Sequence, residues 1–415
     1  MFSLSSLRGN ARLVGFGFAL CFLSSVGQTY FISLYGGEIR EEFGLSHGGF
    51  GTVYMAGTIA SAATLIWLGR AVDRFSPRTT TLATLSGLAL VALFMGLAWH
   101  AAVLAVAIYG LRLLGQGMAT HIGVTAMARY FVAERGRALA VAQLGQAFGA
   151  ALSPPYVVAL LVFLSWREAW WVTAGLVLAL LPLTLGLLRG ENLAARAAAL
   201  ARDYGAAVTG GYRVGEMLRD PGFWRRLPVL LAPSFISTGF VFHQVHIAAE
   251  KGWPIELMAG SFTSYAIFSV VGLAIGGPLV DRFTARRLVP FYLAPLALCC
   301  VSLAVGFAPW WPAVYLGWMG LGTGITSVVL GAIWAELYGV AHVGAIRSFG
   351  AAVMVFSTGL APMVMGVAFD GGTSVETVAW LSALYCGLAS LTAATAKRPP
   401  RKDAALKTAP ASPTA

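Results

Sequence analysis

Gly69-Arg70-Ala71-Val72-Asp73-Arg74-Phe75-Ser76-Pro77-Arg78 reads G-x-x-V-D-R-F-x-x-R, and Gly277-Pro278-Leu279-Val280-Asp281-Arg282-Phe283-Thr284-Ala285-Arg286 reads the same way. The copies lie 208 residues apart in a chain of 415, half its length. Each closes a long apolar stretch. The same offset aligns Glu42-Phe43-Gly44-Leu45-Ser46 with Glu250-Lys251-Gly252-Trp253-Pro254, and Pro154 with Pro362. A chain that repeats across its midpoint, in segments apolar enough to enter lipid, consists of two related halves. Parallel repeats of this kind are a transporter architecture, with the substrate site between the halves.

Composition agrees. The chain is 58% hydrophobic and 11% charged, with mean hydropathy +0.76, whereas a soluble domain carries about 25% charged residues. The solvent for this much apolar surface is lipid. Twelve stretches are long enough to cross a bilayer as helix: 13–35, 49–69, 79–99, 101–124, 138–164, 168–188, 227–249, 257–280, 287–308, 311–338, 343–369 and 374–396. The expected fold is an all-α membrane protein of two six-helix halves, 1–188 and 227–396. A central loop, 189–226, joins them, with a connecting helix near 194–207, and a disordered tail covers 397–415. The first stretch is too long for a signal-peptide core and has no A-x-A site beside it, so it is expected to stay as helix one.

The net charge of +11 does not point to nucleic acid, because its distribution follows the membrane. With a cytoplasmic N-terminus, 24 of the 28 Lys and Arg fall in the N-tail, the even-to-odd loops and the C-tail. Arg40, Arg167 and Lys251 fall on the other face, and Arg112 inside a helix. That asymmetry predicts both termini in the cytoplasm, with the basic loops meeting lipid headgroups. Cys21, Cys299, Cys300 and Cys386 all sit in predicted helices, where a thiol packs as a small apolar group. No N-x-[ST] sequon occurs, since Asn10 and Asn192 are the only asparagines. Together with very short outer loops this suggests a bacterial inner membrane. There is no phosphate-binding loop, dinucleotide fingerprint or metalloprotease motif. No enzyme activity or cofactor is expected, and transport would draw on an ion gradient.

At this point the chain resembles the major facilitator superfamily. The repeated segment is similar to the family's G-x-x-x-D-R-x-G-R-[KR] signature after helices two and eight, with Ser76 and Thr284 where the family has its second Gly. Arg112-Leu113-Leu114-Gly115-Gln116-Gly117 resembles the family's R-x-x-[x]-Q-G segment in helix four. Gly145-x-x-x-Gly149-x-x-x-Ser153-Pro154 resembles its G-x-x-x-G-x-x-x-G-P pattern in helix five, with Ser153 for the last Gly. The resemblance spans nearly the whole chain. It implies alternating access by rocking of two halves around a central cavity lined by helices one and seven, in a single chain acting on a small molecule. Gln28-Thr29-Tyr30 and the short outer loops are loosely similar to the monocarboxylate and oxalate/formate branch.

Several side chains are candidates for the chemistry. Arg112 is the one charge well inside a predicted helix, near the midplane, with no Asp or Glu at its depth. Regular helix would put Gln116 and Thr120 on its face. It reads either as an anchor for a carboxylate, whose geometry the guanidinium fork matches, or as a structural Arg bonded to carbonyls or to helix one. His243 and His246 lie three apart on helix seven, with Gln244 between. They read as proton-coupling or substrate-contacting groups, as plain polar lining, or as half of a metal site that lacks further ligands. Gln28, Tyr30, Tyr35, Tyr54, Tyr265, Trp318 and Trp334 are further candidates for the path. Asp73, Arg74, Asp281 and Arg282, with Arg137 and Arg347 near the starts of helices five and eleven, form an expected cytoplasmic gate, or else a solvated topology signal. Pro154, Pro155 and Pro362 are candidate bend points. The expected cargo is a small organic anion; efflux of amphipathic toxins and uptake of a metal or metal complex are the alternatives.

Overall fold

The computed structural model describes residues 10–131, 135–189, 211–339, 342–397 and 399, apart from the side chains of Asp73 and Arg135. The expected connecting helix near 194–207 and most of the tail lie outside the described residues. Among those described, there is no named strand. Nine helices are long and apolar enough to cross a membrane: α3 (His47–Leu68), α4 (Pro77–Gly96), α5 (Ala101–Tyr130), α6 (Gly136–Leu161), α7 (Trp166–Gly186), α10 (Ile255–Phe283), α12 (Trp311–Tyr338), α13 (Val343–Asp370) and α14 (Val375–Ala394). Two bent pairs meet the same test, α1 (Ala11–Gly27) with α2 (Thr29–Phe43), and α8 (Pro221–Phe242) with α9 (Gln244–Glu250). A shorter apolar helix, α11 (Ala294–Val305), stands where a longer ninth helix was expected.

Helix starts are written in the sequence. Ser46, Ser76, Ser165 and Ser374 each accept a backbone N–H of the first turn, satisfying a donor that lipid cannot. Pro77 and Pro221 open α4 and α8, where a missing N–H does no harm. Successive helices run in opposite directions, so the bundle has two ends. One carries Ser46, Trp166, Glu250 and Asp370, and is called the Ser46 face; the other carries the two repeated motifs, and is called the Asp73 face. The most extensive helix packing pairs α10 with α12, α3 with α13, α1 with α6 and α4 with α7. Of these, α3–α13 joins the two halves.

Each half is stapled at the Ser46 face by one ion pair that gathers three helices. In the first, Glu42 of α2 pairs with Arg167 of α7 and accepts from Trp166 Nε1 at 2.7 Å, while Arg167 donates 3.0 Å to the Gly96 carbonyl closing α4. In the second, Lys251 after α9 pairs with Glu376 of α14 at 2.5 Å and donates to the Ala304 carbonyl of α11. Gly96 and Ala304 are 208 residues apart, the offset of the repeat. Glu250, the counterpart of Glu42, accepts from Val375 N at the start of α14 (2.7 Å).

Two predicted helices are not continuous. The first breaks at Gln28, whose backbone is extended (φ −84°, ψ 155°), giving a 44° bend. The cause is a backbone-to-backbone crossing: a Cβ on Gly27 would meet the Leu111 carbonyl oxygen and lie 2.6 Å from Gln116 N. The seventh breaks at His243 with a 63° bend. His243 and His246 therefore do not share one straight helical face.

Candidate substrate path and its seal

The Gln28 break faces the middle of α5, where Arg112–Ala119 is wound as a π-helix. This looser winding changes the expected register of Arg112, Gln116 and Thr120. Such segments are rare and concentrate at functional sites. Arg112 is 2% exposed. Its Nη1 donates to the Gly27 carbonyl at 3.3 Å and approaches Thr29 Oγ1 at 3.5 Å. Its guanidinium lies over the Tyr54 ring, 5.3 Å from the centroid. Tyr54 and Thr29 share a 2.7 Å hydrogen bond. The Nε of Arg112 is buried without a hydrogen-bond partner, and among the described residues no carboxylate is paired with the guanidinium. A buried cation in this state is costly unless an anion arrives. Gln28 and Tyr30 are buried beside it, Tyr30 donating to Ser25 Oγ at 3.2 Å. Gln116 is half-buried. Tyr35 lies farther along α2, packed on Trp170 and Phe31 within the first half.

Above this break the halves close on one another. Ser33 Oγ donates to the Val241 carbonyl at 2.9 Å. Gln244 Nε2 donates to the Tyr30 carbonyl at 3.0 Å and to Ser33 Oγ at 2.8 Å, while its Oε1 is buried without a partner. Phe242 stacks against Phe50 and Tyr54. Asp370, the last residue of α13, takes the first N–H groups of α3, His47 N at 2.9 Å and Gly48 N at 2.8 Å. A carboxylate there matches the positive end of the helix. A Cβ on Gly51 would stand 2.5 Å from the Pro362 carbonyl oxygen, so only glycine permits so close a crossing. All cross-half hydrogen bonds between described residues lie in this region.

The histidines belong to this seal. His243 is buried and its Nε2 donates to the Pro362 carbonyl at 2.9 Å. His246 lies 3.1 Å from the Glu250 carboxylate. Its ring centroid is 4.3 Å from that of His47, in the other half. Arg40 Nη1 reaches His47 Nε2 at 3.3 Å. A guanidinium only donates, so that nitrogen accepts and the His47 proton sits on Nδ1. Among the described residues, no group of three or more His, Cys, Asp or Glu is placed to hold a metal.

At the Asp73 face, the expected gate residues Arg74, Asp281, Arg282 and Arg347 make no hydrogen bond or ion pair across the halves among the described residues. Arg74, Asp281, Arg282, Arg137 and Arg347 are exposed, and the Asp73 side chain lies outside the described residues. The motif loops are instead held within each half. Arg129 of α5 donates to the Val72 carbonyl at 3.2 Å, and Glu336 of α12 accepts from Ala285 N (2.8 Å) and Arg286 N (3.0 Å). Ser33 and His47 carry no signal in the sequence, and Thr29 and Arg40 stand out there only as part of a family likeness and of the charge distribution. Arg40 and His47 sit at a helix end, where a charge or an imidazole looks like ordinary solvated surface, and only the fold brings them to the other half.

The chain matches the family model of the Major Facilitator Superfamily over residues 17–260 and 234–414. Among solved structures, it is similar to a bacterial homolog of the human lysosomal transporter Spinster in an inward-facing, occupied conformation, with TM-score 0.67 and 15% identity over 95% of this chain and 97% of that one. The same homolog in an inward-facing, unoccupied conformation gives TM-score 0.66 and 15% identity over 94% and 98%. No curated protein is similar enough to match.

Proposed function

Because the chain belongs to the Major Facilitator Superfamily, we propose that this multi-pass membrane protein moves a small organic anion, a carboxylate, by alternating access, and is not an enzyme. The observation that carries the reading is Arg112: buried, its Nε unpartnered, and set against a helix break that frees backbone groups beside it. Thr29 and Tyr54 orient the guanidinium, leaving donors for a carboxylate. Gln28, Tyr30, Gln116 and Gln244 complete the polar surroundings; Tyr35 serves as packing behind them. His243 and His246 couple transport to protons.

The finer architecture belongs to the same proposal. The two bent pairs and α11 complete twelve spans with the nine long helices. The halves 1–188 and 227–396 rock as units about the central loop. The Lys and Arg distribution places the Asp73 face and both termini in the cytoplasm of a bacterial inner membrane. On that orientation, the closed Ser46 face makes this the inward-facing state. Single cysteines at Ser46 and Thr209 should label from opposite sides with an impermeant reagent; labelling from one side contradicts the topology. The deciding experiment is uptake by purified protein in proteoliposomes against carboxylates, amphipathic drugs and metal ions, with and without a pH gradient. Saturable carboxylate uptake is expected, and drug or metal transport alone would replace this reading.

A further inference from the structure

Three imidazoles and a guanidinium meet where the two halves close, around a small pocket lined by Ser33, Arg40, His47, Phe50, His243 and His246. His47 and Arg40 come from the first half, His243 and His246 from the second. We propose that the seal on the Ser46 face is released by protonation, with His47 as the proton acceptor that works against His246 across the boundary between the halves. This rests on the reading that the halves rock, and adds a partner from the opposite half to the coupling pair.

The charged and titratable neighbours of His47 define the response. Arg40 of α2 bonds to its Nε2; α2 also carries Glu38 and Glu41, both exposed. From the second half come His243 at the α8–α9 break, His246 and Glu250 of α9, and Asp370 of α13. With neutral imidazoles the boundary carries no like-charge contact beyond Arg40: Arg40 donates to His47, and Asp370 caps α3. A proton on His246 faces Glu250 on its own helix and leaves the boundary intact. A proton on His47 removes the lone pair that Arg40 uses and lines up Arg40, His47 and His246 as three cations, the last on the far side of the boundary. Asp370 resists, since it holds the backbone of His47 from the second half. The opening therefore needs both protons and is steeper than a single titration. The sign follows: charging disfavours the sealed state, so the seal holds at high pH and is lost as external pH falls.

The test measures the seal, not the cargo. Spin labels at Glu41→Cys and Glu256→Cys, exposed positions in opposite halves, report their separation in the full chain in lipid nanodiscs. As pH falls from about 8 to about 5.5, the longer-distance population should rise several-fold. His47→Gln should keep the short distance throughout, and His47→Lys, a fixed cation, should open at a higher pH than the parent and with the shallower slope of the one proton that remains to be bound. His246→Gln and His246→Lys make the same opposed pair from the other half, while His100→Gln, which does not line the seal, should behave as the parent. A parent distance independent of pH overturns the proposal, as do Gln and Lys variants with the same distance at both histidines. Carboxylate transport with a pH-insensitive seal would remove this inference and leave the transport reading standing.

Discussion

The two halves use the same staple with its charges exchanged. In the first, the acid is on α2 (Glu42) and the base on α7 (Arg167); in the second, the base follows α9 (Lys251) and the acid is on α14 (Glu376). Each base then donates to a helix-end carbonyl at an equivalent place, Gly96 or Ala304. What the repeat preserves is a rigid frame, and its chemistry is interchangeable. What it does not preserve is the middle. The first half breaks its leading helix at Gln28 against a π-wound, Arg-bearing α5. The second runs straight through the equivalent Ile236, and packs α12 against α10 by glycines where the first has its buried cation. The proposed substrate site sits where the halves disagree.

The sharpest way to break that comparison is to remove its asymmetric element. Arg112→Gln should lower carboxylate uptake by roughly 100-fold, the loss of a charge-assisted pair of about 2–3 kcal/mol. Arg112→Lys should be intermediate, since it keeps the charge without the planar fork. Normal uptake by the Gln variant would reduce Arg112 to a prop for the helix break.

The staples test whether exchanged charges are equivalent. They are not equally buried: the Lys251 side chain is 0% exposed, against 26% for Arg167. Glu376→Gln strands a buried ammonium and should destabilise by about 3 kcal/mol. Glu42→Gln leaves Arg167 partly in water and should stay near 1 kcal/mol or below. Unfolding temperatures in detergent compare them, and equal losses would mean that burial does not set the difference.

At the other face, Asp73→Asn and Asp281→Asn should each slow transport several-fold with little change in binding, by favouring the inward-open population. Accessibility of a cavity cysteine to a cytoplasmic reagent reads that population. If neither variant alters rate or accessibility, the repeated motif is an orientation signal only.

The smallest effect distinguishes the two motif copies. Thr284 sits at φ +68°, whereas Ser76, its counterpart, is at φ −64°. A β-branched residue there is strained by about 1–2 kcal/mol. Thr284→Gly should therefore stabilise by several tenths of a kcal/mol, after glycine's unfolded-state entropy is counted. Ser76→Gly should destabilise slightly, as it also loses the cap on α4. Melting curves showing the same sign for both would reject the strain.

Much of the frame was legible in one dimension. Apolar length marks the spans, and the offset of 208 residues pairs Glu42 with Glu250 before any coordinates are known. The breaks were not legible, because no proline stands at Gln28 or His243; Gly27 yields there to a tertiary crossing with α5. The seal was hidden for a related reason. Asp370 and His47 meet across 323 residues, and each alone resembles an exposed helix end. Arg112 was legible as an outlier, since a lone charge in an apolar helix needs no fold to be noticed, but its carbonyl partner on Gly27 required one.

The close crossing of α3 and α13 has an electrical consequence. Their contacts run from Gly48 beside Val367 to Thr58 beside Gly359, a wall about 15 Å thick at 1.5 Å per residue. On the proposed inward-facing reading, in which water reaches this wall from the Asp73 side, the membrane voltage falls across the wall rather than across the whole bilayer. The His47 cluster lies at its outermost edge and senses little of the drop. Arg112 lies near its inner edge, so an anion passing between them traverses most of the field, worth about 2.3 kcal/mol per charge at 100 mV. Proton binding at the seal and cargo movement past it then respond differently to the same potential.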